Sequence, residues 1–78
     1  MKKIKKTDRV FFHEIINQSN INSGFGIVLD IIKLEHSKKF KPDLITSNIY
    51  SYLVAVLLTD KGSIEEMLVA DCKLVEEW

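Results

Sequence analysis

The sequence predicts an all-β domain, and three observations carry that prediction. Tyr50 to Leu58 is dense in β-branched and aromatic residues, Thr59-Asp60-Lys61-Gly62-Ser63 supplies a reversing turn, and Ile64 to Val69 resumes an apolar run. Arg9 to Ile15 alternates, with Val10 and Phe12 on one face and Phe11 and His13 on the other. Gly24 and Gly26 bracket Phe25 just before the apolar run Ile27 to Leu34, where residues without Cβ permit positive φ or close backbone approach at a bend.

Taken in order, Arg9 to Ile15 is the first strand, with a helix over Arg9 to Gln18 as its rival. Asn17 to Gly24 is rich in short amide and hydroxyl side chains that bond to their own backbone, so it is expected as an exposed, mobile loop. In the strand Ile27 to Leu34, Ile27, Leu29 and Ile31 share one face, and Val28, Asp30 and Ile32 the other. The first set is expected inward, because burying Asp30 unpaired would be costly. Residues 35–48 form a long connection with a turn at Pro42. In the strand Tyr50 to Leu58, Tyr52, Val54, Val56 and Leu58 share one face and Leu53, Ala55 and Leu57 the other. Both faces are apolar, which implies burial on both sides or an exposed adhesive patch. The competing reading is an α-helical hairpin in the C-terminal half: Ser63-Ile64-Glu65-Glu66 matches a capping box, and residues 43–58 would make a buried helix.

The chain has 78 residues, 46% hydrophobic and 28% charged, and no apolar stretch long enough to span a bilayer. It is read as one domain with a thin core, since a chain of this size buries only about 60% of its unfolded surface. Met1-Lys2-Lys3-Ile4-Lys5-Lys6 begins like a signal peptide, but Asp8, Arg9, His13 and Glu14 interrupt the apolar segment that should follow, so a cytoplasmic location is expected. One cysteine allows no internal disulfide. Ten isoleucines and ten lysines suggest an AT-rich bacterial or phage genome. Net charge is zero but divided: residues 1–41 carry nine Lys or Arg against four Asp or Glu, and residues 42–78 two against seven. Such a dipolar surface can orient an encounter with a charged partner or a second copy.

The ordered phrases Asp8-Arg9-Val10, Gly24-Phe25-Gly26-Ile27-Val28, Tyr52-Leu53-Val54-Ala55-Val56, Asp60-Lys61-Gly62 and Lys73-Leu74-Val75-Glu76 resemble the SH3-like small barrels. These include translation and transcription factors with the KOW motif, accessory subunits of photosystem I and nitrile hydratase, and plasmid-borne type II dihydrofolate reductases. The resemblance implies a five-stranded barrel over residues 7–78, a short helical turn at Ala70-Asp71-Cys72 before the last strand, and residues 1–6 as a flexible basic tail. It says little of function, since one fold hosts unrelated activities. The reductases carry Val-Gln-Ile-Tyr after the hairpin turn, where this chain has Ile64-Glu65-Glu66-Met67-Leu68. RNA-binding KOW barrels are basic around the glycine-marked loop, whereas residues 16–32 hold no Lys or Arg.

Chemistry-bearing residues are sparse. His13 and His36 have no His, Cys or carboxylate at a diagnostic metal spacing and read as partly solvated polar residues. Cys72 reads as a small core residue, because reactivity needs an electropositive setting that Asp71 does not provide. Glu65 and Glu66, like Glu76 and Glu77, point to opposite faces of a strand and cannot form a facing acid pair. Gly24-Phe25-Gly26 lacks the context of a dinucleotide fingerprint.

The reading is therefore a non-enzymatic binding module without cofactor, metal, membrane or small-molecule substrate, whose partner is a protein, either a second copy or another chain. A phage inhibitor of a host factor belongs to this class. Phe11, Val28, Ile32, Leu53 and Leu57, with Trp78 as a terminal anchor, are the candidate contact residues. The alternative is a nucleic-acid-binding barrel in which Lys2, Lys3, Lys5, Lys6 and Arg9, joined by Lys38, Lys39 and Lys41, contact phosphates, while Phe25, Phe40, Tyr50 and Tyr52 stack on bases. Against it stands the plain solubilising role of lysine runs. A second alternative is an accessory subunit of a larger enzyme complex.

Overall fold

The computed structural model describes residues 3–40 and 53–75. The chain forms five strands: β1 (Arg9–Asn17), β2 (Asn20–Lys33), β3 (Leu53–Thr59), β4 (Ile64–Leu68) and β5 (Cys72–Leu74). They make one antiparallel sheet in the order β4-β3-β2-β1-β5. Short 3-10 turns occupy Leu34–His36 and Val69–Asp71, the second just before the last strand. The all-β expectation holds, and the helical rivals give way to strands over 9–17, 53–59 and 64–68. Closure does not hold. No pairing joins β4 to β5, and β5 contributes only three residues alongside β1, so the expected barrel is an open, curved sheet. No helix among the described residues is long and apolar enough to cross a membrane.

The inner face gathers Val10, Phe12, Val28, Ala55, Leu57, Met67 and Leu74 into one core, with Ile4, Ile31, Val69 and Cys72 packed at its margin. This reverses the facing expected in the part of β2 before Asp30: Val28 is inside, whereas Ile27 and Leu29 are exposed, while Ile31 packs on the core as expected. The reason is a bulge between Val28 and Asp30, which sets Val28 opposite Leu57 and Asp30 opposite Val56. The extra residue, Leu29, resets the two-residue period, so Val28 turns in while Asp30 still turns out. Asp30 stays half-exposed and meets Lys6 at 3.5 Å.

The polar stretch expected as a loop is largely strand. Asn17–Asn20 makes a tight turn in which Asn17 Oδ1 accepts from the Ser19 amide at 3.0 Å, and pairing with β1 resumes at once from Asn20. Gly24 and Gly26 serve close approach rather than a bend. A Cβ on Gly24 would meet the Phe12 ring at 3.2 Å, and one on Gly26 the Leu58 carbonyl at 3.1 Å. The turn after β3 is built as expected, with Gly62 at φ 83° and the Thr59 amide bonded to the Ser63 carbonyl at 2.8 Å.

Within the stretch read as a basic tail, Ile4 packs against the core and Lys5 folds back on Asp8, whose carboxylate accepts from the Lys5 amide at 2.9 Å. Thr7 (φ 75°) then brings residues 7 and 8 against β2: the Thr7 amide donates to the Val28 carbonyl and the Val28 amide to the Asp8 carbonyl.

Candidate protein-interaction surface

Register determines which side chains share the outer face. From Arg9 onward, alternate β1 residues Arg9, Phe11, His13 and Ile15 stand opposite Ile27, Phe25, Ser23 and Ile21 of β2. The row through Ile27 continues to Leu58 on β3 and Ile64 on β4, and the row through Phe11 continues to Lys73 on β5. Side chains directly opposite one another sit about 5 Å apart at Cβ, so these rows form one continuous patch. Ile15, Ile21, Ile27, Leu58 and Ile64 are 40–68% exposed on it, and Leu29 is exposed at the bulge. Phe11 meets Phe25 edge-on at 5.4 Å, His13 stacks beside Phe11, and the Arg9 guanidinium lies 5.8 Å from the Phe25 centroid.

The structure divides the expected contact residues. Val28 and Leu57 are fully buried in the core and present nothing to a partner. Ile32 is half-buried in a row with Val54 and Leu68, of which Val54 is fully buried. Leu53 is exposed, and Phe11 belongs to the outer patch. Trp78 lies outside the described residues, as do Lys2, Lys41, Tyr50, Tyr52, Pro42, Glu76 and Glu77. Ile27, Leu58 and Ile64, exposed on the outer face, were not among the expected contact residues. The unread bulge in β2 accounts for Ile27, and the two apolar faces of β3 for Leu58.

The basic residues do not converge. Lys5 Nζ pairs with Asp8 at 3.0 Å, Lys6 with Asp30, and Lys39 with Glu14 at 2.9 Å. The Lys38 amide bonds to the Glu66 carboxylate, Lys3 is exposed, and Arg9 sits on the outer patch over Phe25. Phe40 lies under the Lys39 ammonium, 5.1 Å from its centroid.

On the inner side a polar network closes the mouth of the sheet. Glu14 is nearly buried and accepts from Lys39 Nζ and, at 3.5 Å, from Asn22 Nδ2, which also donates to Glu65 at 3.1 Å. Ser63 Oγ reaches the other Glu65 oxygen at 3.2 Å. Glu66 points the opposite way, where Ser37 Oγ and the Lys38 amide donate to it. The two adjacent carboxylates therefore serve separate structural partners, as strand alternation requires.

His36 contacts only its neighbour Glu35, at 3.7 Å, among the described residues, and no group of three His, Cys, Asp or Glu there could hold a metal. Burial, reinforced by Asp71, pushes the Cys72 thiol up to about 12, and its Sγ donates to the Leu68 carbonyl. That is a packed thiol with almost no thiolate at neutral pH. Compared with known proteins, the chain matches no family model, no curated protein and no solved structure.

Proposed function

We propose that this protein is a protein-interaction module that binds through the outer face of its sheet. The observation that carries the reading is the row Ile27–Leu58–Ile64, three exposed aliphatic side chains in register across adjacent strands. Scattered apolar residues on a surface need no explanation, but a contiguous patch does. With Ile15, Ile21, Leu29, Phe11 and Phe25 this one spans four adjacent strands of the outer face. Its aliphatic character suits a protein surface, including that of a larger enzyme subunit, and among the described residues Lys5, Lys6 and Lys39 are matched by carboxylates.

The test is affinity capture from a bacterial lysate with the wild-type chain and with the variant Ile27→Lys, Leu58→Lys, both shown folded by circular dichroism. A discrete partner that survives nuclease and is lost with the variant is the expected result. Equal recovery by both chains overturns the assignment of this face.

One observation favours a second reading. Arg9, Phe11, Phe25 and Lys73 lie in adjoining rows, a small aromatic platform flanked by cations of the kind on which bases stack. It requires oligonucleotide binding that weakens with salt and with Arg9→Ala; salt-independent or absent binding removes it.

A further inference from the structure

The β1–β2 hairpin outruns the rest of the sheet. β5 accompanies β1 only from Val10 to Phe12, and β3 accompanies β2 only from Gly26 onward. Beyond these points the hairpin is a two-stranded ribbon, an arrangement of marginal stability in water. Its backbone polarity follows from two bonds. The Val28 amide donates to the Asp8 carbonyl, and the Phe25 carbonyl accepts from Asp60 on the β3 side. Alternation from there aims the N–H and C=O groups of Val10, Phe12 and Glu14 at β2, and those of His13 and Ile15 at the open edge. No described residue pairs with that edge. An open groove runs beside it, lined by Phe11, His13, Ile15 and Ala70 to Lys73.

Edges of this kind are ordinarily guarded by lysine, proline or a bulge turned outward. This one has a register shift between Ile15 and Asn17 but no lysine or proline, carries Ile15 and Ile16, 68% and 56% exposed, and opens a stretch from Ile15 to Leu29 that contains no charged residue. The one acid on the edge, Glu14, is already matched by Lys39. The opposite edge of the ribbon, on β2, is flanked by Asp60 and Lys61 of the turn after β3.

We propose that the β1 edge is a self-association site, at which a second copy of this chain adds its own β1 antiparallel about a twofold axis at Ile15. A twofold interface brings every group near the axis against itself, so it selects an uncharged segment. Centring on Ile15 sets Ile15 against Ile15 of the second copy, and the register shift between Ile15 and Asn17 bounds the paired segment on that side. Centring one residue earlier would oppose Glu14 to Glu14, which is repulsive. The result is a continuous ten-stranded sheet. Its site is the edge and not the outer face, so it stands or falls separately from the proposed function.

The experiment is molar mass in solution by light scattering or sedimentation, from micromolar to millimolar chain, at low and high salt. The expected result is a rise to twice the chain mass, indifferent to salt. Ile15→Pro should weaken association about tenfold or more, because it removes an edge donor. The fold should remain, since that N–H takes no part in the β1–β2 ladder. Ile15→Cys in a Cys72→Ser background should form a disulfide-linked dimer on mild oxidation, while Ile21→Cys should not. A single-chain mass throughout the range overturns the proposal, as does a dimer that persists in a folded Ile15→Pro variant. If the proline variant fails to fold, absence of the Ile15→Cys cross-link overturns it instead.

Discussion

The two hairpins of this sheet answer to different constraints. The β3–β4 hairpin is short, turns through Gly62 at φ 83°, and lays Ala55, Leu57 and Met67 into the core. The β1–β2 hairpin turns through Asn17–Asn20 without a glycine, extends past its neighbours, and exposes Ile15, Ile16 and Ile21 near its tip. In the first, apolar residues are where the fold needs them. In the second they exceed that need. The Glu14–Asn22–Glu65 chain of hydrogen bonds, with Lys39 on Glu14, ties one hairpin to the other.

The contrast can be broken by substitution. Leu57→Ala, in the buried arm of the second hairpin, should cost about 2–5 kcal/mol in chemical denaturation, because the cavity cannot collapse between paired strands. Lys39→Met should cost about 1–3 kcal/mol by leaving the nearly buried Glu14 carboxylate without its cation. Gly62→Ala should cost roughly 1 kcal/mol through backbone strain alone, since an added Cβ has open space around it. Ile21→Thr should change stability by about 0.5 kcal/mol or less. Amide exchange sharpens the same comparison: Val28 and Leu57 should exchange only on global unfolding, whereas Asn20 to Ser23 should exchange through local opening. A ribbon protected to the same degree as the core would erase the distinction.

Much of the second hairpin was legible in the sequence. Thr59-Asp60-Lys61-Gly62-Ser63 names its turn chemically, and the strand before it is dense in β-branched and apolar residues. β1 was equally plain from Val10 to Ile15. β2 was not, for two physical reasons. Its first residues, Asn20 to Ser23, have poor strand propensity and are extended because β1 pairs with them, which is a tertiary effect. Its bulge at Leu29 breaks the two-residue period, so one alternation that places Ile31 and Asp30 correctly misplaces Ile27 and Val28, and nothing in a run of Ile, Val and Leu marks which residue is the extra one. Leu57 was read outward for another reason: both faces of β3 are apolar, and alternation alone does not choose between Leu57 and Leu58. What the sequence could not show for the basic residues is pairing: charges can be counted, but that Lys6 and Lys39 meet Asp30 and Glu14 is a tertiary fact.

The outer edge of β4 has a consequence for how this chain would crowd. The Thr59–Ser63 bond places the backbone groups of Glu66 and Leu68 on the side away from β3. There the Glu66 carbonyl accepts from Lys39 Nζ, and the Leu68 carbonyl from Cys72 Sγ. An incoming strand would have to displace both. That edge is therefore guarded against strand addition by its own chain, through a lysine ammonium and a packed thiol.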